Sequence, residues 1–232
     1  MSRYATTDLH GCLHTFRRLV EDKLRLNPAD ELYLLGDYVN KGPDSRGVLD
    51  YLMQLQATGY RVHCLRGNHD QALLDEARHH ARWTWLKLAG RQPTLRSFGV
   101  RHAADIPTPY LAWLTALPYE IELPDFVLVH AGYNFALPPA EMRRDHASML
   151  STKKFVFDSA HLGGKRLLHG HVPRPAAQVR AQAAQRPGAL GLDSGCVYRH
   201  NAGFAQLSAL NLDTWEVTQV ANCEPAYPIG RR

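Results

Sequence analysis

Side chains that can bind metal ions follow several apolar runs of this sequence, at the points where those runs end. The run Leu32–Leu35 leads into Gly36-Asp37, and two other runs, 3–7 and 62–65, lead into polar residues in the same way. Short, nearly continuous apolar runs are typical of buried parallel strands, and ligand sites of open α/β sheets lie at the carboxyl ends of such strands. The metal-binding residues at these ends are Asp8, His10, Asp37, Asn68, His130 and His171.

The residue types at these positions favour a pair of transition-metal ions. Asp8 and His10 are separated by one residue, so both side chains can reach one ion from a loop that follows a strand. Asp37 is a carboxylate that can bridge two ions about 3.5–4 Å apart, together with a hydroxide. Mixed oxygen and nitrogen donors suit manganese, iron or zinc and argue against a calcium site. A single such motif is more often structural, but the succession of them at strand ends predicts a metal centre.

The elements that must position these residues follow from hydrophobic periodicity and from breaks at proline and glycine. The first 70 residues read as β-α-β-α-β, which indicates two crossover units and a parallel sheet. The strands are expected at 3–7, 32–36 and 61–66, and the helices at 11–26 and 46–57.

The remainder of the chain completes the expected architecture as a single domain over residues 1–232. A helix is expected over 71–90. A helical insertion that covers the site and contains Trp83 and Trp85 is expected at about 79–118. Pro138-Pro139 and the segment 174–188 are expected to be loops. Further strands are expected at 126–129, 166–168 and 189–192, and a hairpin at 204–212 and 215–220. The fold class is therefore α/β, with two sheets packed face to face and helices outside.

Composition and charge narrow the class of protein. A chain of 232 residues with 45% hydrophobic and 21% charged residues is that of an ordinary globular protein, and no apolar run reaches membrane-spanning length. We expect a cytoplasmic location, because Met1-Ser2-Arg3 leads into a strand and not into a signal-type apolar segment. We expect reduced, mostly structural cysteines and no cysteine zinc site, because the four cysteines show no CxxC spacing. The net charge of +5 fits phosphorylated substrates, although an arginine-rich surface explains it equally well. The basic residues are dispersed, so we expect no nucleic-acid partner and no membrane contact.

Five sequence motifs resemble those of the calcineurin-like metallophosphoesterases, in the same order along the chain. They are Asp8-Leu9-His10-Gly11, Gly36-Asp37-Tyr38-Val39-Asn40-Lys41-Gly42, Arg66-Gly67-Asn68-His69-Asp70, His130-Ala131-Gly132 and Gly170-His171. The likeness is to the phosphoprotein phosphatase branch and, within it, to the small bacterial and phage lambda type. It implies a four-layer αββα sandwich of two mixed sheets flanked by helices.

The resemblance also implies a reaction and a role for each residue. A metal-bridging hydroxide would attack phosphorus in line, without a covalent phosphoenzyme. His69 would protonate the leaving alkoxide and Arg66 would grip phosphate oxygens, although His69 could instead be a supporting histidine. Two divalent ions are implied, manganese first, with iron or zinc as alternatives. By the same resemblance Asp8 and His10 would bind the first ion, Asp37 both ions, and Asn68, His130 and His171 the second.

The sequence departs from the family pattern GDxVDRG at two positions. Asn40 replaces the aspartate that normally pairs with the histidine acid, so it can accept a hydrogen bond from His69 but supplies no charge. We therefore expect a slower acid step against poor leaving groups. Lys41 replaces an arginine and would contact the substrate without bidentate geometry. Related diadenosine polyphosphate hydrolases also carry an uncharged residue at the first position. Asp70, in place of glutamate, is expected to act behind the ligands.

Four further features are weaker candidates. His169 is expected to point away from the site, and Lys153-Lys154 stands where relatives place a further phosphate-binding arginine. Asp193-Ser194-Gly195 resembles a late family segment that supports the metal loops. His79-His80 is expected on the surface of a helix.

Three functions remain open at this point. The first is a serine/threonine protein phosphatase acting on phosphorylated proteins or peptides. The second is a diadenosine polyphosphate hydrolase or another small-molecule phosphoesterase that uses the same site. The third is a phosphate-binding protein whose site has decayed at Asn40-Lys41. Substrate assays separate the first two, and metal analysis tests the third.

Overall fold

The computed structural model describes residues 1–79 and 90–227. The strands in this part of the chain are β1 Arg3–Thr6, β2 Glu31–Leu34, β3 Arg61–Cys64, β4 Glu120–Glu122, β5 Phe126–Val129, β6 Arg166–His169, β7 Ala189–Gly191, β8 Gln206–Asn211 and β9 Val217–Ala221. The α-helices are α1 Leu13–Arg17, α2 Ser45–Ala57, α3 Asn68–His79, α4 Arg91–Phe98, α5 Thr108–Ala116, α6 Pro139–Met142, α7 His146–Ser151 and α8 Ala176–Ala184. Arg18–Leu24 continues α1 as a π-helix, and Ala103–Asp105 and Ser159–Leu162 are 3₁₀ turns.

The first sheet has the strand order β3-β2-β1-β8-β9. Its first three strands are parallel, with Arg3 opposite Glu31 and Glu31 opposite Arg61, so the carboxyl ends of β1, β2 and β3 lie at one edge. The predicted β-α-β-α-β start is therefore confirmed. The predicted hairpin is confirmed as well, because β8 and β9 pair antiparallel and β8 joins β1.

The second sheet has the strand order β4-β5-β6-β7. Strands β5, β6 and β7 are parallel, and β4 pairs antiparallel with β5 at the edge. Both sheets are thus mixed. The parallel runs bring the residues after β5 and β6 to a common edge, as the runs of the first sheet do for the residues after β1, β2 and β3.

The two sheets face each other across a shared apolar core. Alternate residues of each strand point into it, including Ala5 and Tyr33 from the first sheet and Leu128 and Leu168 from the second. The outer faces are covered by other segments: Leu49 of α2 packs on the first sheet, and a second cluster lies on the outside of the other. This is the expected α/β sandwich of two mixed sheets flanked by helices.

Two expected loops are helical instead. Residues 176–184 form α8, and Pro139 begins the short helix α6, so both loop predictions are wrong. Alanine, glutamine and arginine favour helix, and proline is tolerated before and in its first turn. The helix α8 buries only Ala176, Val179 and Ala183, which is why its periodicity was weak in the sequence.

The predicted insertion at 79–118 is described in part. Its helices α4 and α5 contribute Leu95, Phe98 and Leu114 to the core outside the first sheet. Trp83, Trp85 and His80 lie outside the described residues, so the predicted cover over the site and the single domain over 1–232 stay predictions. Among the helices of residues 1–79 and 90–227, none has the length and apolar character needed to cross a membrane.

Candidate metal centre

The loops after the strands hold non-glycine residues in the left-handed backbone region. Ten such residues occur in the described part of the chain, and six of them belong to the predicted site. The six are Asp8, His10, Asp37, Asn40, Lys41 and His171, with φ between 45° and 71°. This conformation costs on the order of 1–3 kcal/mol for each residue, and such strain concentrates where side chains must be aimed at a ligand.

The first group of donors joins the loops after β1 and β2. His10 donates from Nδ1 to the carbonyl oxygen of Val39 at 2.9 Å, so in the neutral ring Nε2 carries a lone pair that can bind an ion. That nitrogen lies 3.5 Å from Asp37 Oδ2 and 3.9 Å from Asp8 Oδ1. Two ligands that each bind one ion at about 2.1 Å cannot lie more than roughly 4.2 Å apart, so these separations fit a shared ion.

The second group joins the loops after β3, β5 and β6. Asn68 Oδ1 lies 2.9 Å from His130 Nε2 and 3.0 Å from His171 Nδ1. His130 donates from Nδ1 to Leu35 O at 2.7 Å, so in the neutral ring its Nε2 is an acceptor that faces another acceptor. Such a contact is favourable only with a cation or a proton between the two atoms. Asp37 Oδ1 lies 3.6 Å from His130 Nε2 and completes this group.

Asp37 is common to both groups. Ligand atoms of His10, Asp37 and His69 lie within 4.8 Å of one another, and so do those of Asp8, Asp37 and His130. The donor set of buried carboxylates, imidazoles and one amide fits two divalent ions of the transition series, with Asp37 between them. Sequence reasoning did not place His69 in the first cluster, where its ring lies 4.8 Å from that of His10, centroid to centroid.

The charge state of the centre suits metal binding. Burial raises the pKa of Asp37 to about 7, and the nearby carboxylates add to this rise against the opposing effect of His130. Burial lowers the pKa of His10 to about 3, helped by Lys41, and that of His171 to about 4. For His130, the carboxylates of Asp37 and Asp8 outweigh burial and raise the pKa. His10 and His171 are therefore neutral and can bind a metal ion through a ring nitrogen, and a bound cation would displace the proton that Asp37 holds below about pH 7.

His69 is held from behind by Asn40. The amide nitrogen of Asn40 lies 3.0 Å from His69 Nδ1, and Thr94 on α4 donates its hydroxyl to Asn40 Oδ1 at 3.0 Å. Asn40 is therefore the donor and His69 Nδ1 the acceptor, the reverse of the sequence-based expectation. Burial, reinforced by Lys41, holds the pKa of His69 well below its usual range.

The two expected phosphate-binding cations differ in their surroundings. Lys41 Nζ lies 2.7 Å from His10 Nε2, directly at the first group of donors. Arg66 is buried and donates to Gln71 Oε1, to the Tyr119 hydroxyl and to the Thr115 carbonyl, and its guanidinium lies 4.8 Å over the Tyr119 ring. The roles expected of Arg66 and Lys41 in binding phosphate stay predictions.

Asp70 ties two of the metal-binding loops together. Its carboxylate accepts hydrogen bonds from the backbone N–H groups of Asp37, Tyr38 and Gly67 at 2.9–3.0 Å. The loops approach closely here, since a Cβ at Gly67 would lie 2.3 Å from Asp37 N. Asp70 thus lies behind the metal-binding residues, as the sequence predicted, whereas Thr94 was missed. Thr94 gave no signal because it is 54 residues from Asn40 in the chain.

The weaker candidates for site residues from the sequence lie in different parts of the structure. His169 is buried on the outer face of the second sheet, where its ring meets Phe155 at 5.4 Å. Lys153 and Lys154 line a cavity on that same face. Asp193 is buried, and burial together with the charge of Asp8 raises its pKa well above the usual range. The predicted surface position of His79-His80 concerns side chains outside the described residues.

Comparison with known proteins gives a family and several relatives. The family model described as calcineurin-like phosphoesterase matches residues 1–202. A symmetrical bis(5'-nucleosyl)-tetraphosphatase from Pseudomonas putida strain W619 is 36% identical over 140 residues, which are 60% of this chain and 43% of the relative. Its counterpart in Shewanella sp. strain ANA-3 is 34% identical over 157 residues, 65% of this chain and 51% of the relative. The chain thus spans about half the length of these relatives.

Solved structures share the fold over nearly the whole chain. A candidate diadenosine tetraphosphatase superposes with a TM-score of 0.66 at 25% identity, covering 96% of this chain and 94% of the other. A serine/threonine phosphatase from Saccharomyces cerevisiae has a TM-score of 0.65 at 14% identity, covering 98% and 81%. A cold-active protein-tyrosine phosphatase from a psychrophilic Shewanella has 0.63 at 15%, covering 94% and 80%. The last two bear on the fold alone.

Proposed function

This chain belongs to the calcineurin-like phosphoesterase family, and from that membership we propose that it is a dimetal hydrolase of dinucleoside polyphosphates. In a dinucleoside tetraphosphate, water adds to a central phosphorus and the bond from that phosphorus to the central bridging oxygen breaks. The bridging oxygen leaves on a second nucleoside diphosphate, so both products are nucleoside diphosphates. The similarity to symmetrical tetraphosphatases over 60% of the chain supports this substrate class.

The contact between Asn40 and His69 is the observation that favours a dinucleoside polyphosphate over a phosphate monoester as the substrate. His69 receives a hydrogen bond on Nδ1 and has no carboxylate behind it, so its imidazolium form is not stabilised. A leaving phosphate has a second pKa of about 6 and departs without being protonated. The serine alkoxide that leaves from phosphoserine is far more basic than this phosphate, close to hydroxide. A site with a weak acid is therefore suited to cleaving phosphoanhydrides.

The remaining residues have separate tasks in this proposal. Divalent ions held by Asp8, His10, Asp37, Asn68, His130 and His171 would supply charge that polarises phosphoryl oxygens and a water of lowered pKa. Lys41 brings an ammonium group to the same place and balances the charge of the polyphosphate. His69 presents its Nε2–H, the nitrogen opposite Asn40, as a hydrogen-bond donor. Asp70 holds the loop of Asp37 against the loop of Asn68.

The serine/threonine protein phosphatase expected from the sequence has weaker support. The solved phosphatases that act on proteins are 14–15% identical to this chain, and identity at that level bears on the fold alone. A decayed phosphate-binding protein is disfavoured by the convergence of the donors around Asp37. Manganese, with iron or zinc as alternatives, remains the ion proposed from the donor types.

Product analysis with manganese tests the proposal. Purified protein is incubated with diadenosine tetraphosphate, with a phosphoserine peptide and with p-nitrophenyl phosphate, and nucleotides are separated by ion-exchange chromatography. We expect adenosine diphosphate as the only nucleotide product, and a kcat/KM for the dinucleotide at least 100-fold above that for the peptide. Preference for the peptide would support the protein phosphatase instead. Bound metal without turnover of any of the three would support the decayed site.

A further inference from the structure

A basic cavity of about 550 Å³ lies on the outer face of the second sheet, beside the metal centre. We call it the outer-face pocket. It lies between the loop that follows α7, the ends of β6 and β7, and the last turn of α8. The residues that matter for its chemistry are Lys153, Lys154, Phe157, His169, Arg174 and Gln182, and the exposed Gln185 lies at its rim. Its volume falls within the range of about 300–1,000 Å³ that is typical of small-molecule sites.

The walls of the pocket are joined to the metal-binding loops. His169 precedes the metal-binding His171 by two residues, and the intervening Gly170 is so close to Asp8 that a Cβ there would lie 2.3 Å from Asp8 Oδ2. On the other wall, Phe155 packs on the loop of His130, since a Cβ at Gly132 would lie 2.5 Å from the Phe155 ring. The pocket therefore lies next to the loops that carry His130 and His171.

The pocket is positively charged. Lys153, Lys154 and Arg174 line it, and none of its lining residues in the described part of the chain is acidic. Within residues 1–79 and 90–227, none of these three cations takes part in an ion pair with a carboxylate. Arg174 makes one long hydrogen bond of 3.3 Å, from Nη1 to Gln182 Oε1. Three cations without carboxylate partners in one cavity are suited to a polyanion.

The pocket also offers flat apolar walls and amide groups. Phe155 and Phe157 are held by Phe135, with ring centroids 5.6 and 5.7 Å apart, so they are fixed before any ligand arrives. Gln182 on α8 supplies both a hydrogen-bond donor and an acceptor. Phosphates, a planar ring and polar ring edges occur together in a nucleotide, and nucleobases stack on aromatic side chains regardless of sequence.

We propose that the outer-face pocket binds one nucleotide end of the dinucleoside polyphosphate while the metal centre holds the scissile phosphates. The cations Lys153, Lys154 and Arg174 contact its phosphates, and the Phe155–Phe157 wall contacts its base. This assignment rests on the proposed function and extends it, because it gives the site a means to prefer dinucleotides over simple phosphate esters.

A charge reversal at the rim tests the assignment. Gln185 is exposed at the end of α8, so Gln185→Glu and Gln185→Lys should both fold, which melting temperatures verify. We expect Gln185→Glu to raise KM for diadenosine tetraphosphate about five- to tenfold and Gln185→Lys to leave it equal or lower. Neither should change kcat/KM for p-nitrophenyl phosphate, which is too short to reach the pocket. Phe157→Leu, which keeps apolar volume but removes the ring, should raise the same KM.

The control is Lys23→Gln, which changes the net charge by the same amount as Gln185→Glu. Lys23 is exposed on the π-helix outside the first sheet, the layer opposite the pocket. Equal KM values for the two Gln185 variants would overturn the assignment. So would equal shifts with both substrates, or a shift in Lys23→Gln, because each would indicate a general effect of charge.

Failure of the proposed function can be told from failure of the pocket. If the wild type does not cleave diadenosine tetraphosphate, the proposed function has failed. The pocket is then decided by calorimetric titration of the protein with adenosine diphosphate. A Kd that rises at least fivefold in Gln185→Glu supports nucleotide binding there, and an unchanged Kd, or no binding at all, rejects it.

Discussion

The amide nitrogen of Asn40 lies 3.0 Å from Nδ1 of His69, so the amide donates and the imidazole accepts. The direction is fixed from the other side, because Asn40 Oδ1 accepts the hydroxyl of Thr94. An aspartate at position 40 would instead require a proton on Nδ1 and would stabilise the doubly protonated ring. One atom type at position 40 thus sets whether His69 is a good acid.

Asn40→Asp should therefore convert the site toward phosphate monoesters. A carboxylate would raise the pKa of His69 and favour protonation of a basic leaving group, an effect that general acids supply at 10²–10⁴-fold. We expect kcat for an alkyl phosphate to rise about tenfold or more, with a smaller change for diadenosine tetraphosphate. Steady-state kinetics on both substrates measure this. Unchanged turnover of the alkyl phosphate would contradict it.

Thr94 should affect turnover, because it orients the Asn40 amide that contacts His69. Thr94→Val keeps the shape of the side chain but leaves Asn40 Oδ1 without its donor, so the amide is free to turn. We expect kcat for diadenosine tetraphosphate to fall several-fold with little change in KM, because substrate does not touch Thr94. Thr94→Ser retains the hydroxyl and should restore kcat. Equal losses in both variants would mean that Thr94 serves only the packing of α4.

The sequence predicted those features that depend on residues close together in the chain. The strand ends at Asp8 and Asp37 carry their own apolar run and their own ligand, so fold and metal site followed from local pattern. Thr94 was missed because its contact with Asn40 exists only after α4 packs against the loop. The helix α8 was missed because it lies against β7, β8 and β9 with few apolar residues, so its composition resembled that of a loop.

Asp37→Asn should abolish binding of both ions. Asp37 is the donor common to both clusters, and a neutral amide neither bridges two cations nor offsets their charge. We expect about two manganese ions per wild-type chain and less than one in the variant, by elemental analysis after dialysis. Asp22→Asn, at an exposed position, removes the same charge elsewhere and should keep both ions. Full occupancy in Asp37→Asn would refute the bridging role.

Protonation of Asp37 should also make metal-free stability depend on pH. Its pKa is about 7 in the folded protein and about 3.9 in an unfolded chain, so between these values the folded state keeps a proton that the unfolded state has lost. The stabilising contribution is present below pH 4 and is lost as pH rises through 7, at up to about 1.4 kcal/mol per pH unit.

Asn cannot titrate, so Asp37→Asn should gain stability over the wild type across that same pH range. Urea unfolding in the presence of a chelator at several pH values gives the difference in free energy of unfolding. It should widen between about pH 4 and pH 7 and be constant outside that range. A difference that stays constant, or that narrows as pH rises, would contradict the raised pKa.

Asp70→Ala should destabilise the fold more than removal of a metal ligand does. Three backbone N–H groups, from Asp37, Tyr38 and Gly67, would be buried without an acceptor. Loss of hydrogen bonds to a charged group costs about 1.5–3 kcal/mol each before relaxation, so we expect at least about 3 kcal/mol in urea unfolding. Asp70→Asn keeps one acceptor oxygen and should cost less. A loss below 1 kcal/mol in Asp70→Ala would mean that these loops are held by other contacts.

Lys41 should compete with metal at the first group of donors. Its ammonium lies 2.7 Å from His10 Nε2, the lone pair that an ion would use, so the ammonium must move before that ion binds. Lys41→Met keeps the apolar stem and removes the charge, and we expect manganese affinity to rise several-fold in calorimetric titrations. The same variant should have a raised KM for diadenosine tetraphosphate, because one cation facing the polyphosphate is lost. If both affinity and KM match the wild type, Lys41 acts on neither the ions nor the substrate.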